Sequence, residues 1–251
     1  MPMQNKISVI IITGNEEKNI RECLESVKWA EEIVVVDSES KDNTVEIAKR
    51  FTDNVYIRKW EGYANQKSYA LNLAKNEWVL SLDADERVTI ELAAEISNLK
   101  LDSTSLDAYK IHRDNYFLGK KINHCGWGND YQLRLFRKSK TKLTERLVHE
   151  GFIVDGKIST LKNSIIHYSY ENLKDGFAKI NEYSTLEANE KYQRKNVSGF
   201  TIMLYPVIGF VQHYIFRKGF LDGSRGLLIS LMHAMTKLQV QMKIWELRKR
   251  N

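Results

Sequence analysis

The side chains best placed for chemistry in this 251-residue chain sit in short polar segments that each follow an apolar run. Asp83-Ala84-Asp85 comes directly after residues 78–82 (WVLSL). Two carboxylates two residues apart at a strand end point to the same side. Such a pair can share a hard divalent cation, Mg2+ or Mn2+, which takes oxygen ligands together with substrate phosphates. The plainer alternative is an acidic loop capping a helix that begins at Thr89. The buried run in front favours the metal, because carrying two carboxylates into a crevice costs stability without a compensating cation. Asp37 closes another apolar run, EIVVVD, where a carboxylate can accept from a base N–H or a ribose hydroxyl. The competing reading is a turn or helix cap, for which Asp42 is better placed. Thr13, Asn15 and Glu16 follow the first apolar run and either line the same pocket or form the turn into the next helix. Lys67 lies in a helical stretch, where a lone lysine is most often solvated; a diphosphate nevertheless needs a cation besides the metal. His167, in SIIHYSY, offers a third metal ligand or a hydrogen-bonded core histidine. Arg134 and Arg137 alternate along one strand face and either meet an anionic acceptor or face solvent.

The elements that must position these groups alternate along the first hundred residues. Residues 7–13 (ISVIIIT), 32–37 (EIVVVD), 55–58 and 78–82 read as strands, the longer ones as continuous runs buried on both faces. Residues 19–27, 43–51, 63–74 and 89–99 carry apolar side chains at helical spacing between and after them. Strand–helix alternation predicts an α/β fold with a mostly parallel central sheet covered by helices. Ligands of such sheets bind at the carboxyl ends of the strands, where the polar segments above converge. No G-x-G-x-x-G and no G-x-x-x-x-G-K-[ST] occurs, which argues against a dinucleotide site or a P-loop. From residue 101 the pattern changes to short extended pieces at 107–112, 130–136, 152–154 and 164–168, read as mixed or antiparallel sheet. Helical character returns at 171–191, and a last helix is predicted at 227–247 after a glycine cluster.

Of 38 basic and 32 acidic side chains, eleven and two fall in residues 191–251. The net charge of +6 is therefore a slightly acidic body joined to a strongly basic end. Two cysteines supply neither a disulfide framework nor a zinc site, and a reducing cytosol fits them best. The opening MPMQNK is not a signal peptide, because the apolar run behind it is too short. Residues 196–216 carry no formal charge, a length that spans a bilayer. Pro206, Gly209, Gln212 and His213 speak against a clean span, and the flanking Lys195, Arg217 and Lys218 suit an element lying in the interface. A helical hairpin buried on the domain or in a homodimer stays open as the alternative.

The segments IIITGNEEKNIRECLESV, EIVVVDSESKDNT, GYANQKSYALNLAKNEWVLSLDADE, QLRLFRK and VHE together resemble the family-2 glycosyltransferases with the GT-A fold, over residues 6–170. Within that family the chain is most similar to bacterial lipopolysaccharide core β-1,4-glucosyltransferases, and KINEYSTLEA and RKGFLDGSRGLL support that subgroup. The resemblance implies a GT-A nucleotide-sugar-binding catalytic domain at 1–170, followed by a basic, amphipathic helical region at 171–251. It implies base contacts for Thr13 and Asp37 with Glu16 nearby, and a place near the diphosphate for Lys67. Asp83 would meet ribose and metal, and Asp85 the metal. Where the family carries an E-D or D-D pair with the catalytic base, this chain has His149-Glu150, so Glu150 takes that role. The function implied is an inverting, metal-dependent hexosyltransferase. It would carry sugar from a nucleoside-diphosphate sugar to a lipid-linked saccharide acceptor, at the cytoplasmic face of the inner membrane. The nearest alternative is a polyprenyl-phosphate glycosyltransferase. A non-enzymatic nucleic-acid binder is more remote, since aromatic and basic residues are not interleaved on a strand platform.

Overall fold

The structure is a computed structural model that describes residues 5–101, 103–144 and 151–250. They form two units, one within Met1–Arg113 and Tyr131–His167, the other within Asp114–Asp130 and Tyr168–Asn251.

The first unit is built as its β-branched runs dictate. The seven residues of β1 (Ile7–Thr13) are all buried, as are the six of β2 (Glu32–Asp37). Helix α1 (Ile20–Glu25) joins them; α2 (Thr44–Ala48) leads to β3 (Val55–Ile57), and α3 (Tyr63–Leu73) to β4 (Trp78–Asp83). Strands β3-β2-β1-β4 are neighbours in parallel register. Alternate side chains of these strands serve two separate cores. Val9, Ile11, Val35, Leu80 and Leu82 pack with Ile20 and Leu24 of α1 on one face. Ile10, Ile12, Val34, Val36 and Val79 pack with Ala70 and Leu71 of α3 on the other. Both faces are covered, which is why the strands read as unbroken apolar runs.

After β4 the chain turns within two residues into β5 (Glu86–Val88) and α4 (Ile90–Ser97). Strands β6 (Ala108–Phe117), β7 (Lys120–Lys121), β8 (Tyr131–Arg137), β9 (Thr141–Leu143), β10 (Phe152–Val154) and β11 (Ile158–Tyr170) follow. The sheet order is β3-β2-β1-β4-β8-β6-β11-β5; β8 lies antiparallel to β4 and to β6, and β5 antiparallel to β11. Strand β5 falls where the sequence reads as an acidic loop. Three residues show no periodicity of their own, and pairing with β11 across more than seventy residues makes them a strand. The stretch predicted at 164–168 belongs to a longer strand beginning at Ile158 for the same reason.

Helix α4 begins at Thr89, whose Oγ1 accepts from the Leu92 amide at 3.1 Å and donates to the Ser164 carbonyl at 3.2 Å. Thr89→Ala removes the cap and one tie to β11, so it is expected to cost about 1–2 kcal/mol, read as a fall in the urea midpoint at unchanged slope.

In the second unit, β7 pairs back on the end of β6, and helices α5 (Leu173–Lys191), α6 (Gly199–Val211) and α7 (Gly223–Arg250) follow. Ser198 and Thr201 close a capping box at the start of α6, and its end runs into a wider π-turn at Gln212–Phe216. A 3-10 turn, Gly219–Asp222, leads into α7. The last helix begins four residues before its predicted start, at Gly223, whose φ of 63° ends the preceding 3-10 turn in a backbone that other residues resist. Cys23 in the first unit and Cys125 in the second are both fully buried, and burial pushes both thiols up.

Candidate functional site

Register places the carboxyl ends of the parallel strands side by side. Thr13 is paired with Asp37 across β1 and β2, and Ile12 with Asp83 across β1 and β4. Three of the residues expected at the site therefore stand on one sheet edge.

Asp37 is fully buried. Its Oδ1 accepts from the Ser40 amide at 2.8 Å and its Oδ2 from the Ser40 hydroxyl at 2.5 Å. The turn reading of Asp37 is thus realised. Asn15 has a left-handed backbone, φ 56°, and ties the first loop to the second: its amide donates to Ser40 Oγ at 2.7 Å and its Oδ1 accepts from the Lys41 amide at 2.8 Å. The Glu16 amide donates to Thr44 Oγ1, and Glu16 Oε2 accepts from Asn19. Two buried oxygens on this edge, Thr13 Oγ1 and Gln66 Oε1, have no hydrogen-bond partner among the described residues. Such atoms are rare in finished cores and mark places where a polar ligand or water completes the bonding. Gln66, on α3, was not anticipated from sequence; it donates to Ser38 Oγ at 2.9 Å and to the Arg58 carbonyl at 3.2 Å.

Asp83 is the most strongly engaged group. Lys67 Nζ lies 3.1 Å from its Oδ1 and Arg134 Nη2 lies 2.8 Å from its Oδ2. Burial alone would push the Asp83 carboxyl up, but the two cations override it and hold it well below the usual carboxylate range. Lys67 is buried, so the solvated-face alternative is overturned: helix α3 lies over the sheet and turns this lysine to the strand end. Arg134 is buried too, and neither an acceptor contact nor a solvated face describes it. Its Nη2 bridges Asp83 and the fully buried Glu86, whose Oε1 also receives Arg113 at 3.2 Å and whose Oε2 accepts the Asp83 amide at 3.0 Å. Arg137 packs its guanidinium on the Trp78 ring at 4.7 Å and donates to the Leu101 carbonyl.

Ala84 and Asp85 form the connection between β4 and β5. Arg87 fastens this turn by donating to the Ala84 and Glu86 carbonyls at 2.9 and 3.0 Å. Asp85 Oδ2 lies 3.6 Å from His167 Nε2, since His167 stands opposite Glu86 in the β5–β11 register. Among the described residues, no three His, Cys, Asp or Glu side chains converge as a ready metal cage. The structure therefore brings Thr13, Asp37, Asp83 and Lys67 to one edge and sets Asp85 against His167. Glu150 and His149 lie outside the described residues. Glu86 and Arg113 were missed because the ion pairs that join them, and Glu86 to Arg134, are distant in sequence, and Arg87 because the turn it fastens reads only as an acidic run, DADE.

Comparison with known proteins supplies the wider context. Residues 8–165 match the family described as glycosyl transferase family 2. An uncharacterized glycosyltransferase of Rickettsia typhi is 32% identical, over 96% of this chain and 87% of its own length. The lipopolysaccharide core biosynthesis glycosyltransferase LpsC of Rhizobium meliloti is 28% identical, over 96% and 92%. Among solved structures, S. aureus TarS 1-349 in complex with UDP-GlcNAc superposes with a TM-score of 0.51 at 15% identity, covering 98% of this chain and 93% of that one. Mannosyl-3-phosphoglycerate synthase from Rubrobacter xylanophilus gives 0.50 at 15% identity, covering 77% of each. These likenesses agree with the GT-A type of α/β fold, and the match over residues 8–165, more than half of the sequence, makes the conclusion plain: the chain belongs to glycosyl transferase family 2.

Proposed function

We propose that this glycosyltransferase moves a hexose, with inversion, from a nucleoside-diphosphate sugar to a hydroxyl of a cell-envelope glycolipid such as the lipopolysaccharide core. The observation that carries the reading is the cluster on one sheet edge. A half-buried carboxylate, Asp83, is flanked by two cations, and Asp85 and His167 face each other across the adjoining turn. The name of the Rhizobium meliloti relative supports the acceptor class. Residues 1–170 would hold the chemistry, and residues 171–251 would keep the enzyme at the cytoplasmic face of the inner membrane.

Asp85 and His167 are the pair that would hold a divalent cation, since both oxygens of Asp83 are already engaged by Lys67 and Arg134. A carboxylate oxygen and an imidazole nitrogen 3.6 Å apart can become neighbouring ligands with a small shift, and Asp83 stands two residues away. Mg2+ or Mn2+ bound there would take most of its ligands from diphosphate oxygens and water. When bound, the cation neutralises charge that grows on the leaving nucleoside diphosphate. Lys67 adds a second positive charge. Its ammonium has three donors, so one stays on Asp83 while others reach a phosphate. Arg134 and Glu86 hold the Asp83 carboxylate in one orientation. Thr13 Oγ1 and Gln66 Oε1 find partners on the bound nucleotide, with Asp37, Asn15 and Glu16 shaping that pocket. Glu150 takes the proton from the acceptor hydroxyl as it attacks the anomeric carbon.

Donor binding is the direct test. At a donor concentration near 100-fold above Kd, a matching nucleoside-diphosphate sugar is expected to raise the thermal midpoint by about 5–10 °C with Mn2+ present and far less without it. No stabilisation by any such donor, with or without metal, would count against the reading. Glu150→Gln is expected to keep that stabilisation while transfer falls by about 100-fold or more. Retention of most transfer would point instead to a lipid-phosphate acceptor, which needs no strong base.

A further inference from the structure

Helix α6 and the turn after it expose an apolar strip that a water-facing helix would not carry. Residues 196–216 lack any formal charge, and Gly199–Phe216 is long and apolar enough to cross a membrane. Only one side is covered. Gly209 lies so close to α7 that a Cβ there would stand 3.2 Å from the Lys237 stem and 3.5 Å from the His233 ring. The His213 and His233 rings lie 3.5 Å apart. The outer side is open: Phe200, Met203 and Phe216 are 72%, 76% and 78% exposed, and Val207 and Ile208 are more than half exposed. Exposed apolar area of this extent marks a docking surface.

Charge identifies what docks there. Arg194 and Lys195 precede the strip, Arg217 and Lys218 follow it, and no carboxylate occurs between Glu190 and Asp222. Lys195, which precedes the helix, lies over the ring of Tyr205 at mid-helix at 5.1 Å. Cations bracketing an uncharged apolar face match the layering of an anionic bilayer surface: phosphates outside, acyl chains within. The covered side decides how deep the helix goes. Lys237, packed against Gly209, has its ammonium 3.8 Å from Glu187 of α5, and full immersion would carry that charged pair into hydrocarbon.

We infer that the outer face of α6 and its following turn lies in the interface of an anionic lipid bilayer, inserted on one side and not spanning it. This deepens the membrane placement proposed above and rests on none of the donor chemistry. The test is co-sedimentation of the full chain with phosphatidylcholine vesicles that contain or lack phosphatidylglycerol. The chain is expected to pellet with the anionic vesicles and to be released by salt. Met203→Ser/Phe216→Ser is expected to lower the partition coefficient about tenfold or more, with an unchanged melting curve, because both side chains are exposed in the folded chain. Arg194→Glu/Lys195→Glu is expected to lower it by a similar factor on anionic vesicles only. Wild-type protein that stays in the supernatant with anionic vesicles overturns the inference, as does undiminished binding by the serine variant. So does a wild-type dimer, by light scattering, that this variant converts to monomer while neither binds vesicles; the strip would then belong to a second copy. Donor stabilisation with Mn2+, measured without vesicles, reports separately on the transfer reaction.

Discussion

Asp85→Asn is expected to lower kcat by about 1000-fold, or about 4 kcal/mol of transition-state stabilisation, while leaving the thermal midpoint of the ligand-free protein nearly unchanged. The reason lies in where the residue sits. Asp85 is in the two-residue connection after β4, beside His167, whereas the ion pairs of Arg134 run to Asp83 and Glu86. The amide retains size and polarity but loses the charge that a hard cation needs. Steady-state kinetics over a Mn2+ titration distinguish the causes. Recovery at high Mn2+ indicates weakened metal affinity, and a flat low rate indicates that the bound geometry has been lost. An Asp85→Asn enzyme within threefold of wild type would remove this residue from the site.

Arg134→Met is expected to be the most destabilising change near the site, at about 3–5 kcal/mol. The mechanism is the loss of one partner from a buried ion pair, which strands a charge in the interior. Glu86 is fully buried, and among the described residues the substitution leaves it Arg113 at 3.2 Å and the Asp83 amide. At about 2–4 °C per kcal/mol for a chain of this size, the thermal midpoint should fall by about 10 °C. Adding Glu86→Gln should recover a good part of that loss, since the buried anion is then gone. Urea unfolding of the two variants side by side is the measurement. An unchanged midpoint in the single variant would mean that the network contributes nothing to folding. The same variant should also raise KM for the donor, because Asp83 is left with Lys67 alone.

How much of this was legible in the sequence depended on the range of the interaction. Strands β1, β2 and β4 were readable because strands buried on both faces are mostly apolar, and each of these seven- or six-residue runs is so, apart from Ser8, Glu32, Ser81 and its last residue, without reference to the rest of the chain. The same runs end in Thr13, Asp37 and Asp83, so the edge that carries the site could be read along with the fold. Strand β5 could not, since Glu86, Arg87 and Val88 become a strand only by pairing with Ile165, Ile166 and His167. Arg134 illustrates a second limit. It does lie on a strand, but three residues from Arg137 it faces the opposite side, and the carboxylates that draw it inward are 48 and 51 residues away. Lys67 was placed near the diphosphate by family resemblance, whereas helical periodicity alone would have left it in solvent. The apolar strip of α6 was visible as an absence of charge; which of its sides is covered followed only from the packing of Gly209 on α7.

The two sealed thiols have a practical use. A thiol reacts as its thiolate, and Cys23 and Cys125 are fully buried with their ionisation pushed up by that burial. Maleimide added to the folded chain should therefore label almost nothing. A single cysteine introduced at Met203 or Phe216 would be the one reactive handle, with both native residues left in place. A polarity-sensitive dye attached there, read against lipid quenchers fixed at graded depths, would turn the outer face of α6 into a ruler for the bilayer.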